Sequence, residues 1–213
     1  MKILVTGFEP FANEPINPAA EVAKRLVKPE GADFEARILP VSFARVEEAL
    51  RRAILESGAD VVLSLGQAGP RREITPEKVG INFATTRSSD GKRFMADDYG
   101  FSADDIPIVE DGPAAYFTNL PIRRMVAACN AAGVPCAVSY SAGTYVCNYT
   151  LYTLMRLAET DFAGLRADFI HLPYLPEQIE RMRGSGVPVY SMELSQMVKG
   201  VQAIVDDLAK GGF

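Results

Sequence analysis

The chain has 213 residues, of which 48% are apolar and 23% are charged, and its formal net charge is −5. This length and composition exclude an intrinsically disordered protein and predict a single globular domain over residues 1–213. The acidic balance and the lack of a basic run speak against nucleic-acid binding, and no apolar run approaches the roughly 20 residues of a membrane-spanning helix. A strand-like N-terminus in place of a signal peptide, together with only three cysteines, predicts a cytoplasmic protein.

The first third of the chain alternates strand-like and helix-like segments. A capping asparagine followed by proline, Asn17-Pro18, predicts the start of a helix, and Gly58 predicts the end of another. The predicted elements are, in order, a strand over residues 2–5, a helix over 19–27, a strand over 34–41, a helix over 44–57 and a buried strand over 60–66.

Residues 84–112 interrupt this alternation. They are rich in Asp, Ser and Gly and have no clear period, so they predict a long polar loop within the domain. After them come a helix over 121–132, a strand over 135–140, a helix over 145–159, a strand over 167–172 and a terminal helix over 192–209. This pattern predicts an α/β fold, a three-layer α/β/α sandwich with a mixed, largely parallel sheet.

Cys147 lies where a strand gives way to a helix, and reactive groups in α/β sheets collect at such junctions. The nearby helix N-terminus is expected to lower the pKa of the Cys147 thiol, and its free N–H groups would stabilise an oxyanion. The alternative is a buried, inert cysteine. Cys129 and Cys136 lack such a setting and are interpreted as packing residues.

His171 is the only histidine in the chain, and it ends an apolar strand. Any imidazole general base must therefore be His171, although a lone histidine is more often structural. Paired with Cys147 from a neighbouring junction, it would give a thiolate–imidazolium nucleophile. A single histidine and the lack of a CxxC pair also exclude the usual Cys/His zinc site, and we predict no metal or organic cofactor.

Two further loops carry candidate residues. The GQAG loop, which begins at Gly66, follows a buried strand and could cradle an anion, but it matches neither nucleotide-binding glycine pattern. Glu77, further along, either orients His171 as the third member of a triad or is a solvated surface carboxylate. Phe8 and Phe11 follow the first strand and either line an apolar pocket or cover the sheet edge.

Five sequence blocks resemble the pyroglutamyl peptidase I (pyrrolidone-carboxylate peptidase) family. They are VTGFEPF with INP shortly after, GQAG followed by ITPEKVGIN, EDGPAAYF, SAGTYVCNY and FIHLPYLPEQ, and they run in the family's order from about residue 4 to about residue 178. The resemblance implies a homotetrameric cysteine peptidase that removes an N-terminal pyroglutamyl residue from peptides. Its implied catalytic residues are Cys147 as nucleophile, His171 as base, Glu77 as acid and Arg87 near the oxyanion; its implied ring pocket is formed by Phe8, Phe11, Tyr145 and Val146, with Gln67 nearby.

The implied chemistry suits these residues. Pyroglutamate is a neutral lactam, which aromatic side chains and a few hydrogen bonds can hold. The Cys147 thiolate would attack the carbonyl after the ring, His171 would protonate the leaving amine, and water would hydrolyse the thioester.

The sequence departs from the family pattern at two places. Ala12-Asn13 replaces the two glycines that follow GFEPF in the family, and the segment after Arg87 reads SSDGKRFMADDYGF where the family has IPDNEG. Both changes lie in loops and leave the implied triad intact, so we expect them to affect substrate scope, loop order and subunit contacts.

Two other functions stay open. One is a nucleoside-phosphorylase-like transferase, because the implied fold resembles that group; Arg71 and Arg72 would then bind phosphate. The other is a non-catalytic binding module on a peptidase scaffold, which the divergent loop at 88–105 motivates.

Overall fold

The computed structural model describes residues 1–69, 71–87, 95–181 and 190–213. Its strands are β1 (Lys2–Phe8), β2 (Asp33–Leu39), β3 (Val61–Gln67), β4 (Thr75–Pro76), β5 (Val79–Ile81), β6 (Ala115–Phe117) and β7 (Arg166–Leu172). Its helices are α1 (Pro18–Ala23), α2 (Val46–Ser57), α3 (Ile122–Ala131), α4 (Val146–Thr160), α5 (Pro176–Arg181) and α6 (Leu194–Ala209).

The two predicted helix boundaries, a start at Asn17-Pro18 and an end at Gly58, are both confirmed. The Asn17 side chain accepts a hydrogen bond from the Ala19 N–H at 3.0 Å and so caps α1. Helix α2 ends at Gly58, which adopts a left-handed conformation with φ of 62° and donates to the Ile54 carbonyl. Both signals lie next to the residues they control, and this is why the sequence alone could locate them.

A five-stranded sheet organises the molecule, in the order β2-β1-β3-β7-β4. The first four strands are parallel, and β4 runs antiparallel to β7. The carboxyl ends of β1, β3 and β7 therefore meet at one edge of the sheet, which in such folds is where ligands bind. The predicted mixed, largely parallel sheet is confirmed.

Helices cover both faces of this sheet and complete three layers. Ile3, Leu63 and Ile170 point toward the core beneath α1, α3 and α6, whereas Leu4, Val62 and Phe169 point toward the core beneath α2 and α4. Because successive strand residues face opposite sides, each buried strand feeds both cores, which explains its continuous apolar run. Among the described residues, no helix has the length and apolar character needed to cross a membrane.

The predicted strand over 135–140 is only partly realised. Its backbone bonds to the segment around β4, with Ile74 N–H donating to the Pro135 carbonyl at 3.0 Å and Ser139 N–H to the Pro76 carbonyl at 2.9 Å. These contacts form isolated bridges rather than a regular strand. The small β5–β6 sheet and helix α5 were not predicted, because segments of three to six residues carry too little periodic signal.

The polar loop predicted over 84–112 carries backbone hydrogen bonds where it is described; residues 88–94 lie outside the described chain. Thr86 N–H donates to the Ala103 carbonyl at 2.8 Å, and Met95 N–H donates back to the Thr86 carbonyl at 2.9 Å. The buried carboxylate of Asp97 accepts three backbone N–H groups, from Phe43, Tyr99 and Phe101, each at 2.9 Å. Asp97 thus ties this loop to the segment that precedes α2.

Candidate active site

A cavity of about 450 Å³ opens at the carboxyl edge of the sheet. Phe8, Gln67 and His171 reach it from the ends of β1, β3 and β7, and residues 141–147 close another side. This volume falls in the usual range for a small-molecule site. The topology therefore collects at one place candidate residues that are far apart in the sequence.

Glu77 and His171 are in direct contact at this edge. His171 Nδ1 lies 2.7 Å from Glu77 Oε1, and the two side chains are 4% and 0% exposed. The same oxygen receives the Arg71 guanidinium at 2.8 Å. Because a carboxylate beside an arginine is an acceptor, His171 holds its proton on Nδ1, and its Nε2 is left as an acceptor.

Cys147 is the second residue of α4 and lies against Gly66 of β3. A Cβ atom on Gly66 would come within 3.2 Å of the Cys147 sulfur and 2.5 Å of the Phe169 ring, so only glycine leaves room for both. Gly66 is paired with His171 in the neighbouring strand, and paired residues of adjacent strands lie about 5 Å apart. The thiol and the imidazole therefore line the same cavity from adjoining positions.

The electrostatics of the pair differ from the sequence-based expectation. Burial, with a smaller contribution from the Glu77 charge, raises the pKa of the Cys147 thiol to about 12, and Arg71 and the backbone N–H of Cys147 only partly oppose this. Burial also lowers the pKa of His171, against the effect of its Glu77 hydrogen bond. The helix N-terminus does not dominate, so the resting pair is a neutral thiol beside a neutral imidazole.

The first turn of α4 offers free donors to the cavity. Tyr145 precedes the helix without capping it through its side chain. The backbone N–H of Asn148 has no backbone acceptor outside the helix among the described residues, and that of Cys147 lies beside its own sulfur. Such unsatisfied N–H groups at a helix start are suited to hold a negative oxygen.

The predicted pocket residues all line the cavity. Phe8 is buried and packs near Phe169, with 6.2 Å between ring centroids. Tyr145 meets Phe43 edge-on at 5.2 Å and donates its hydroxyl to the Ala96 carbonyl at 3.1 Å. The full predicted set on the wall is Phe8, Phe11, Gln67, Tyr145 and Val146.

Arg87 has a different setting from the other predicted residues. Its guanidinium donates to both carboxylate oxygens of Asp104, at 2.6 and 2.9 Å, and both side chains are exposed. Arg87 is not among the described residues that line the cavity.

The Ala12-Asn13 substitution keeps a glycine-like backbone. Ala12 and Asn13 have φ of 55° and 61°, the left-handed region in which glycine is unstrained. Asn tolerates this region better than Ala, so Ala12 carries most of the strain. Its N–H donates to Asp98 at 3.1 Å, which links the N-terminal loop to the 95–101 segment.

Arg71 was named from the sequence only as a candidate phosphate ligand, and its contact with Glu77 was missed. Besides Glu77, it donates to Thr75 at 2.5 Å and to the Ser141 carbonyl at 2.8 Å, and it lines the cavity. Its partner Ser141 lies 70 residues away in the chain, so no local pattern could have revealed this contact. Arg72 instead stacks on Tyr190. Both arginines proposed to bind phosphate therefore already have partners within the protein.

A cysteine at a helix start that shares a cavity with a buried Glu–His pair is an arrangement typical of cysteine-type hydrolases, here on an α/β/α scaffold. The sequence model of the pyroglutamyl peptidase family matches residues 1–210, so the chain belongs to that family.

Individual relatives agree with this assignment. The chain is 45% identical to the pyrrolidone-carboxylate peptidase of Levilactobacillus brevis, over 96% of each chain, and 45% identical to that of Bacillus subtilis, over 83% of this chain and 80% of that one. Among solved structures, a variant pyrrolidone carboxyl peptidase of Pyrococcus furiosus superposes with a TM-score of 0.91 at 34% identity, over all of both chains. The pyroglutamyl peptidase I of Bacillus amyloliquefaciens superposes with a TM-score of 0.88 at 36% identity, over 98% of this chain and 97% of that one.

These matches confirm the predicted family, the fold class and, at the level of the family, pyroglutamyl peptidase activity. They favour this peptidase over both the phosphorylase-like transferase and the binding module.

Proposed function

We propose that this chain hydrolyses the bond after an N-terminal pyroglutamyl residue, with Cys147 as nucleophile, His171 as general base and Glu77 as the group that orients His171. The observation that carries the proposal is the buried Glu77–His171 contact of 2.7 Å at the wall of the cavity that Cys147 also lines. Family membership supplies the substrate class.

The cavity suits a pyroglutamyl ring. The ring is small and uncharged, and the wall offers it the apolar surfaces of Phe8, Phe11 and Val146. The lactam also has one carbonyl acceptor and one N–H donor, and the Gln67 amide lies on the wall as a hydrogen-bond partner. We propose that these residues, with Tyr145, hold the ring while the scissile carbonyl faces Cys147.

The chemistry starts from neutral groups. As the Cys147 sulfur attacks the carbonyl carbon, His171 Nε2 accepts the thiol proton, and the carbonyl oxygen becomes an oxyanion facing the N–H groups of Cys147 and Asn148. The imidazolium is stabilised by Glu77 and donates its proton to the leaving amine as the C–N bond breaks. Water then attacks the thioester, His171 accepts the water's proton, and the C–S bond breaks to release pyroglutamate and restore the thiol.

Arg87 is the fourth catalytic residue, proposed on the family resemblance. Its contribution to the oxyanion requires that Arg87 moves toward the cavity when substrate binds, because it pairs with Asp104 and is not among the described residues that line the cavity. A single catalytic domain, a cytoplasmic location and a homotetramer are likewise proposals; the family resemblance supports the last.

The test is the release of a fluorescent amine from a pyroglutamyl amide. We expect turnover by the wild type and a loss of at least about 10³-fold on Cys147→Ala, because no other group can form the thioester. Cys136→Ala is the matched control, since Cys136 is buried away from the cavity, and it should keep full activity.

Circular dichroism would verify that both variants are folded. Turnover that survives Cys147→Ala, or that requires added phosphate, would contradict the proposal and favour the transferase.

A further inference from the structure

Gln178 is the third residue of α5, and its side chain is fully buried. Its hydrogen-bond partners determine which end of the amide is oxygen and which is nitrogen. Its Oε1 accepts the Leu175 backbone N–H at 3.0 Å, and a backbone N–H can only donate. At its other end, Nε2 lies 3.4 Å from the Ile16 carbonyl, which can only accept. Oxygen and nitrogen of this amide are therefore assigned by two independent partners.

This assignment fixes Gln67 as well. Gln178 Nε2 lies 2.9 Å from Gln67 Oε1, so the atom of Gln67 at this contact must be the acceptor. The Nε2 of Gln67 then points away from Gln178, and no described residue accepts a hydrogen bond from it. Since Gln67 lines the cavity, its free N–H groups are available to a ligand there.

We propose that Gln178 is a positioning residue for substrate recognition: it holds Gln67 so that an amide N–H, rather than an amide oxygen, meets the lactam carbonyl of the pyroglutamyl ring. The proposal rests on the proposed function. Without Gln178, Gln67 could rotate its amide by half a turn and present an oxygen, which would repel the lactam carbonyl.

A purely structural role for Gln178 is the competing explanation. Its Oε1 bonds to the residue that precedes α5, in the manner of a capping box, and this alone would justify a buried glutamine. The two roles use opposite ends of the amide, so one substitution separates them. Gln178→Glu keeps an oxygen for the Leu175 N–H and replaces the Nε2 donor by a second oxygen.

The experiment measures KM and kcat for a pyroglutamyl amide, and the inhibition constant of 2-pyrrolidone, the bare lactam ring. In Gln178→Glu we expect KM and the inhibition constant to rise together by roughly tenfold, with kcat changed by less than about twofold. This pattern follows because a hydrogen bond to the ring is made alike in the ground and transition states.

Gln196→Glu is the matched control. Gln196 is also the third residue of its helix, α6, and its N–H donates to the Glu193 carbonyl at 3.0 Å, as the Gln178 N–H does to Leu175 at 3.1 Å. Its side chain is exposed and outside the cavity, so KM should not change.

Gln67→Glu tests the same idea if Gln178→Glu fails to fold. This variant leaves the α5 contact intact, still accepts from Gln178 and loses the N–H toward the ring, so the same rise in KM is expected. Unchanged KM and inhibition constant in a folded Gln178→Glu, with only a lower melting temperature, would overturn the inference in favour of the helix cap. A wild type without turnover would instead contradict the proposed function, and the inference with it.

Discussion

Two regions of the molecule bury carboxyl groups, and they treat them differently. Near the cavity, Glu77 and Asp97 are 0% and 4% exposed, and each carboxylate is hydrogen-bonded, with only the Oε2 of Glu77 lacking a partner among the described residues. On the opposite face of β7 from His171, Asp168 is 0% exposed, and neither of its oxygens has a hydrogen bond of normal geometry. Burying a charge is tolerated when partners replace the water it loses, and otherwise the group becomes neutral.

The pKa of Asp168 shows the second outcome. Burial raises it well above its usual value, and the Phe169 amide and the Thr118 hydroxyl only partly counteract this. The two regions therefore differ: near the cavity the buried carboxylates have hydrogen-bond partners, whereas on the other face of β7 a buried acid lacks them and lowers the stability of the fold. Three substitutions would test this difference.

The largest effect is expected from Glu77→Gln. The amide keeps the size of the side chain but removes the charge that stabilises the His171 imidazolium, and its NH₂ group favours the wrong imidazole tautomer. We expect kcat/KM for a pyroglutamyl amide to fall by about 10³- to 10⁴-fold. Glu73→Gln, a change of the same kind on a nearby residue outside the cavity, should leave kcat/KM unchanged. A loss of less than tenfold in a folded Glu77→Gln would remove Glu77 from the catalytic set.

Asp97→Ala should have an intermediate effect, which we expect on substrate binding rather than on the chemical step. It removes the acceptor of three backbone N–H groups and so releases the segment that carries Met95, a wall residue of the cavity. We expect KM to rise by roughly tenfold, with kcat within about threefold, because the Glu77–His171 pair is not touched. The exposed Asp111→Ala serves as control. If kcat falls and KM stays constant, the loop acts on the chemistry rather than on binding.

Asp168→Asn should have the smallest effect, and it should be stabilising. The folded pKa lies above the unfolded value of 3.8, so between these two pH values the folded state binds more protons than the unfolded state. The wild type therefore loses stability as pH rises through this window, and the variant does not. We expect a gain of about 1–2 kcal/mol at pH 7, a few degrees in melting temperature.

The stability advantage of Asp168→Asn over the wild type should shrink as pH falls toward 4. Thermal unfolding of both proteins at pH 7 and pH 5, with Asp111→Asn as control, measures it. A less stable Asp168→Asn at pH 7 would mean that the buried acid is satisfied after all.

The sequence predicted what depends on neighbouring residues. Helix caps at Asn17 and Gly58 and the strand ends that carry Gln67 and His171 were readable, because local spacing determines them. The Arg71–Ser141 contact, the Asp97 hydrogen bonds and the β5–β6 pairing join segments that are distant in the sequence or too short to show a period. The predicted lowering of the Cys147 pKa was wrong in direction. Burial of the sulfur, which only the folded chain produces, raises this pKa by more than the backbone at the helix N-terminus lowers it.

That raised pKa has a consequence for the chemical durability of the enzyme. Because burial raises the pKa of the Cys147 thiol, the thiol rather than the thiolate is the main form at pH 7. Peroxides and alkylating agents react with the thiolate and hardly at all with the thiol. In the proposed mechanism Cys147 gives up its proton to His171 only as it attacks a bound carbonyl, so between turnovers its neutral thiol would be shielded from oxidation to sulfenic and sulfinic acids.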